Sequence, residues 1–142
     1  MYLGEKMSAE HSGSCLCGEV KYKIIGEPQR FFHCHCQRCR KSTGTGHCSN
    51  IFIATDSIVW LSGENQRRSF KVPDAERFTR HFCNNCGSPL PAHLPSGDLA
   101  IVPAGSLDTD LNFQPQARIF QDSRADWSCE SGDMPCFEQY PE

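Results

Sequence analysis

Seven of the ten cysteines fall into three tight groups, Cys15-Leu-Cys17, Cys34-His-Cys36-Gln-Arg-Cys39 and Cys83-Asn-Asn-Cys86. This spacing constrains the fold more than any other feature of the 142-residue chain. Clustered cysteines can be disulfide partners or metal ligands, and two observations favour metal. Cys15 and Cys17 are too close in sequence to bond each other without severe strain. The first eleven residues contain no apolar run that could serve as a secretory signal, and no later stretch is long and apolar enough to span a bilayer. The expected location is therefore the cytoplasm, where close cysteine pairs are metal ligands or redox centres more often than structural bridges.

Cys83 and Cys86, followed by Gly87, have the form of a zinc knuckle, a tight turn that aims two sulfurs inward while turn amides stabilise the thiolates. Two ligands are half of a closed tetrahedral site, and Cys15 and Cys17 can supply the other half. Such a structural zinc would pin the first strand to a turn about 66 residues later. Cys34, Cys36 and Cys39 offer three further ligands within six residues. Catalytic zinc commonly keeps three protein ligands and leaves a fourth position for water or substrate. The alternative is a second closed site, with Cys48, His47, His35 or His33 as the fourth ligand.

The rest of the chain reads as β structure. Hydrophobic residues make up only 38%, while 11 glycines and 9 prolines favour turns and short strands, so metal clamps have to supplement a modest core. Residues 1–12 are polar and patternless and are expected to form a mobile end, which leaves 13–142 as a single zinc-binding β domain. From Gly18 to Ile25, Val20, Tyr22 and Ile24 alternate with Glu19, Lys21 and Lys23, as in a half-buried strand. Arg30 to His33 is a second apolar segment, leading into a short helical turn that Ser42-Thr-Gly44 closes. Further strands are expected over Cys48–Ala54, Ser57–Leu61, Arg67–Val72, Arg77–Phe82, Leu99–Val102 and Ala117–Phe120. The tail from Asp122 reads as an irregular segment laid over the core by Trp127, Phe137 and Tyr140.

Other residues have plainer readings. Adjacent residues of an extended segment point to opposite sides, so His35 should face away from a metal held by Cys34 and Cys36, in a supporting or surface role. His81 and His93 read as ordinary strand residues, and His11 belongs to the mobile end. Cys129 and Cys136 are expected as free thiols under the tail aromatics, with a disulfide or redox switch as the alternative. Phe31, Phe32, Phe78 and Phe82 are expected in the core, one or two of them at the entrance to the second metal site.

Taken together, Gly13-Ser-Cys-Leu-Cys17-Gly18, Cys34-His-Cys36-Gln-Arg-Cys39-Arg-Lys-Ser-Thr-Gly44 and Phe82-Cys-Asn-Asn-Cys86-Gly87 resemble the glutathione-dependent formaldehyde-activating family, which also includes centromere protein V. Ser62-Gly-Glu64, Gly105-Ser-Leu-Asp108 and the tail pattern Trp127 with Asp133-Met-Pro-Cys-Phe137 extend the likeness over nearly everything after residue 12. The resemblance implies a mostly β, β-tent-like domain, with short antiparallel strands in packed sheets around a structural zinc held by Cys15, Cys17, Cys83 and Cys86. It also implies a catalytic zinc on Cys34, Cys36 and Cys39. The implied reaction condenses glutathione with formaldehyde to S-hydroxymethylglutathione, a carbon–sulfur lyase reaction in reverse, or acts on a related thiol adduct. Arg38, Arg40 and Lys41 become candidates to offset the thiolate charge and meet a glutathione carboxylate, the plain alternative being that they are merely solvated. Cys48, Cys129 and Cys136 depart from the family pattern.

The formal charge is −3, and it becomes −6 once seven thiolates (−7) hold two Zn²⁺ (+4). That balance, with no long Lys/Arg run, disfavours nucleic-acid binding. The remaining alternative is a non-catalytic binding or scaffold module that uses both zincs structurally.

Overall fold

A computed structural model describes residues 9–128 and 134–141. Ten short strands and one helix follow in the order β1 (Glu10–Ser14), β2 (Lys21–Ile25), β3 (Glu27–Cys34), α1 (Gln37–Thr43), β4 (Cys48–Ala54), β5 (Ile58–Ser62), β6 (Arg67–Lys71), β7 (Thr79–Cys83), β8 (Ala92–His93), β9 (Leu99–Pro103) and β10 (Ala117–Ile119). They form a three-stranded sheet β1-β2-β5, a five-stranded sheet β10-β3-β4-β9-β8 and a separate β6-β7 pair. Neighbours are antiparallel throughout except β10, which runs parallel to β3. The expected mostly β domain of packed sheets is the observed one.

The alternation in β2 decides how the first two sheets meet. Tyr22 and Ile24 are fully buried and pack against Phe31, Ile51, Ile53, Ala100 and Val102 of the larger sheet. Each of the isoleucine, valine and phenylalanine side chains contributes roughly 1.5–3 kcal/mol of burial. A smaller cluster of Cys15, Val20, Cys83 and Leu90 lies beside it, and Trp60 of β5 packs against both. The guanidinium of Arg67 stacks over the Trp60 ring at 4.0 Å, a cation–π contact that links the β6-β7 pair to the first sheet.

Several expectations need correction. The mobile segment expected over 1–12 overlaps β1, whose Glu10, His11 and Ser12 pair with Ile25, Ile24 and Lys23; residues 1–8 lie outside the described part. His11 is only 2% exposed, a core residue rather than part of a loose end. β1 escaped notice because its inward positions are His11 and Gly13, not apolar residues. Gly13 is required there, since a Cβ would run into the Tyr22 hydroxyl and come within 2.5 Å of the Ser106 carbonyl oxygen. The tail does not lie over the core through its aromatics: Trp127, Phe137 and Tyr140 are exposed, and Ala125 is the buried residue of that region. Cys136 is exposed as well, and Cys129 lies outside the described residues. Of the four phenylalanines, only Phe31 is buried, while Phe32 packs against Phe52 on the sheet with ring centroids 6.0 Å apart.

Candidate metal centres and the cavity between them

The turn at Cys15-Leu-Cys17-Gly18 leads into β2, and the turn after β7 carries Cys83 and Cys86. The sulfurs of Cys15, Cys17, Cys83 and Cys86 all lie within 4.8 Å of one another. Cys15 Sγ is 3.5 Å from Cys17 Sγ, which is 3.9 Å from Cys83 Sγ. A zinc–sulfur bond of about 2.3 Å in a tetrahedron requires sulfurs about 3.8 Å apart, so these spacings bracket the ideal. The hydrogen bonds around these sulfurs also suit thiolates. The backbone N–H of Val20 donates to Cys15 Sγ at 3.3 Å. Hydrogen bonding with Ser88 pulls the Cys86 thiol down to about 5, helped by backbone N–H groups of Ser88 and Cys17. Burial pushes Cys83 up to about 11, an expense that a cation among the sulfurs would offset.

The second cluster sits where β3 passes into α1. The sulfurs of Cys34, Cys36 and Cys39 also lie within 4.8 Å of one another. Cys36 is the N-cap of α1, its sulfur accepting from the Cys39 N–H at 3.3 Å, and Gly44 ends the helix in the left-handed conformation. A short capped turn thus brings two sulfurs together from positions three apart, and Cys34 closes the group from the end of β3. Burial raises the Cys34 thiol, and Cys39 is raised by its hydrogen bond with Cys48 and by burial.

Cys48 opposes Cys34 in the β3-β4 register but is not among the three clustered sulfurs. Its Sγ contacts the Cys39 carbonyl oxygen at 3.4 Å and Ser42 Oγ at 3.6 Å. The histidines considered as fourth ligands form their own group. His33 and His47 stack with centroids 4.1 Å apart, both approaching Ser49 Oγ through Nδ1, at 3.1 and 3.4 Å. His35 is 1% exposed with its ring 5.1 Å from that of His47, so it is a buried supporting residue and not a surface one.

A cavity of about 900 Å³ extends between the two clusters, reaching Cys39 and Cys48 on one side and Cys15 on the other. Phe78 forms part of its wall, and His81 of β7 also faces it. The basic residues expected near a ligand are elsewhere. Arg38 pairs with Asp74 at 3.7 Å, Arg40 donates to the Ser123 carbonyl at 3.1 Å, and neither these two nor Lys41 lines the cavity. Arg77 and Arg80 line it instead, residues that sequence reasoning placed on a strand without a role.

Residues 10–123 match the family described as glutathione-dependent formaldehyde-activating enzyme. The chain belongs to this family. A Halomonas elongata protein named "Putative glutathione-dependent formaldehyde-activating enzyme" is 31% identical over 140 residues, which cover 92% of this chain and 88% of that one. In fold, the chain is similar to the crystal structure of a Rhodobacter sphaeroides protein, with a TM-score of 0.57 at 16% identity, covering 75% of this chain and 97% of the other. Family membership accounts for nearly all of the structured part, including both cysteine clusters and the β7 side of the cavity. Among the described residues no helix is long and apolar enough to cross a membrane.

Proposed function

We propose that this member of the family is a zinc-dependent enzyme that condenses glutathione with formaldehyde to S-hydroxymethylglutathione, a carbon–sulfur lyase when run in reverse. The observation that carries the reading is a group of three clustered sulfurs, Cys34, Cys36 and Cys39, reached by a large cavity at Cys39 while Cys48 stays outside the group. Cys15, Cys17, Cys83 and Cys86 would hold a structural zinc, and Cys34, Cys36 and Cys39 a second one with an open position. Zinc bound there supplies a Lewis acid that favours the thiolate form of an incoming thiol and polarises an aldehyde oxygen.

The residues of the chain do the rest. The new carbon–sulfur bond forms as the carbonyl π bond of formaldehyde opens, and the thiol proton ends on the new hydroxyl oxygen. The cavity walls bring the two reactants together, and its apolar Phe78 side limits the water that would otherwise hydrate the aldehyde. Because the thiol and the aldehyde also combine unaided, the test is acceleration. Exchange between formaldehyde and S-hydroxymethylglutathione, followed by carbon-13 NMR, should speed up with the protein carrying two zincs and return to the spontaneous rate in Cys36→Ser. A protein with two zincs that leaves the exchange rate unchanged would exclude the enzymatic reading and favour a binding module.

A further inference from the structure

The charges that line the cavity form a short and specific set. Among the described residues, Arg77 and Arg80 are its two permanent cations and Asp108 its sole carboxylate, with His81 the only other titratable group apart from thiols. Neither arginine has an ion-pair partner among the described residues; the pairs found involve Lys23, Arg38 and Arg67. Arg80 spends one donor on the Gly87 carbonyl at 3.3 Å and keeps the others of its five-donor fork. Its charge acts on Cys48, so it lies on the thiol side of the cavity. Asp108 is exposed and held in place by Ser14 Oγ, which donates to Oδ2 at 2.7 Å.

A γ-glutamyl tripeptide thiol carries the complementary charges at neutral pH: two carboxylates, one ammonium and a sulfur between them. We infer that the cavity recognises glutathione by this pattern, Arg77 and Arg80 meeting its two carboxylates and Asp108 its amino group, with the sulfur directed to the Cys39 end. The inference rests on the proposed function for its ligand and adds the residues that separate glutathione from simple thiols. Arginine suits this task, because a planar fork bonds a carboxylate through two parallel donors. A cavity of about 900 Å³ lies within the usual range for small-molecule sites. A simple thiol such as 2-mercaptoethanol, which has neither carboxylate nor ammonium, leaves these side chains without partners.

The probe is S-methylglutathione, whose blocked sulfur makes its binding a report on charge recognition, titrated calorimetrically into the zinc-loaded protein. Arg77→Gln/Arg80→Gln should weaken binding about tenfold to a hundredfold, the usual range for charge-assisted hydrogen bonds. The dimethyl ester of the probe should lose as much on the wild-type protein, a check that needs no substitution. Acetylating the amino group should cost about tenfold on the wild type and nothing further in Asp108→Asn. Undetectable binding to the wild type, unchanged affinity in the arginine variant and for the diester, or losses from acetylation and Asp108→Asn that add, would each overturn the inference. The catalytic reading is judged separately. If the exchange reaction is accelerated while these losses are missing, charge recognition alone falls; if the losses are present without acceleration, the catalytic reading falls.

Discussion

Removing the four-sulfur site should unfold the protein far more readily than removing the three-sulfur site, and the comparison can be made without opening a hole in the core. Cys17 is exposed and Cys86 half-buried, whereas Cys15 and Cys83 are buried. Cys17→Ser/Cys86→Ser therefore leaves two ligands, too few for a structural zinc, while sparing the buried pair. A metal at this position closes a loop of 66 residues between Cys17 and Cys83. Treated as a simple cross-link, a loop of that length is worth about 4 kcal/mol of denatured-state entropy. The metal–ligand bonds add to that figure, so it is a lower bound. The local core offers little compensation, because its buried members are only Cys15, Val20, Cys83 and Leu90. For a domain of this size about 4 kcal/mol corresponds to a fall in Tm of roughly 10–15 °C. Cys36→Ser is the control: serine keeps the α1 N-cap, so the loss there should stay within roughly 3 °C even though one zinc departs. The assay is a circular-dichroism melt on samples whose zinc is counted by elemental analysis. Equal falls in Tm for the two variants, or a double variant that keeps both zincs, would refute this division of labour.

Two further outcomes follow from side chains near the site. Cys48→Ser should leave two zincs per chain in elemental analysis, since Cys48 hydrogen-bonds to Cys39 and Ser42 but its sulfur lies outside the group of three; loss of a zinc would identify it as a fourth ligand and the site as closed. Tyr22 predicts an alkaline limit. Burial, partly countered by the hydrogen bond with Ser106 and reinforced by Asp108, raises its phenol from 10.0 to about 12. The folded state then holds this proton more tightly than the unfolded chain, so the associated stability is complete below pH 10 and is lost as pH rises toward 12, up to about 3 kcal/mol. Denaturant melts across that window should show a slope in wild type that Tyr22→Phe flattens; equal slopes would refute the assignment.

The fold was readable wherever a strand alternates. Val20, Tyr22 and Ile24 were expected on one face and all three are fully buried, and the strand expected over Cys48–Ala54 has those bounds in the structure. Apolar alternation marks a strand only if its inward positions are apolar. β1 buries His11 and Gly13, and the two-residue β8 is too short to show a period, so neither is visible from pattern. The tail misled for the opposite reason. Its aromatics look like core residues, yet a segment whose backbone joins no sheet has no fixed face to bury, and Trp127 is 65% exposed.

The site divides along the same physical line. Cysteine ligands announce themselves because two or three must converge on one point, and a turn or a capped helix can do that only at short spacing. Charged residues that hold a ligand obey no such rule, since they reach it from whichever elements border the cavity. Arg38, Arg40 and Lys41 are close to the cysteines along the chain, but α1 turns Arg38 toward Asp74 and Arg40 toward the Ser123 carbonyl. Arg77 and Arg80 are about forty residues away in sequence and reach the cavity on the β6-β7 pair, which is held at one end, where Arg67 and Cys83 face each other, by Arg67 on Trp60 and by Cys83 in the four-sulfur cluster. A metal in the four-sulfur cluster would therefore have a second consequence beyond stability. By fixing the end of β7 it would set where Arg80 stands relative to Cys39, so loosening it should weaken the proposed glutathione recognition before it disturbs the three sulfurs themselves.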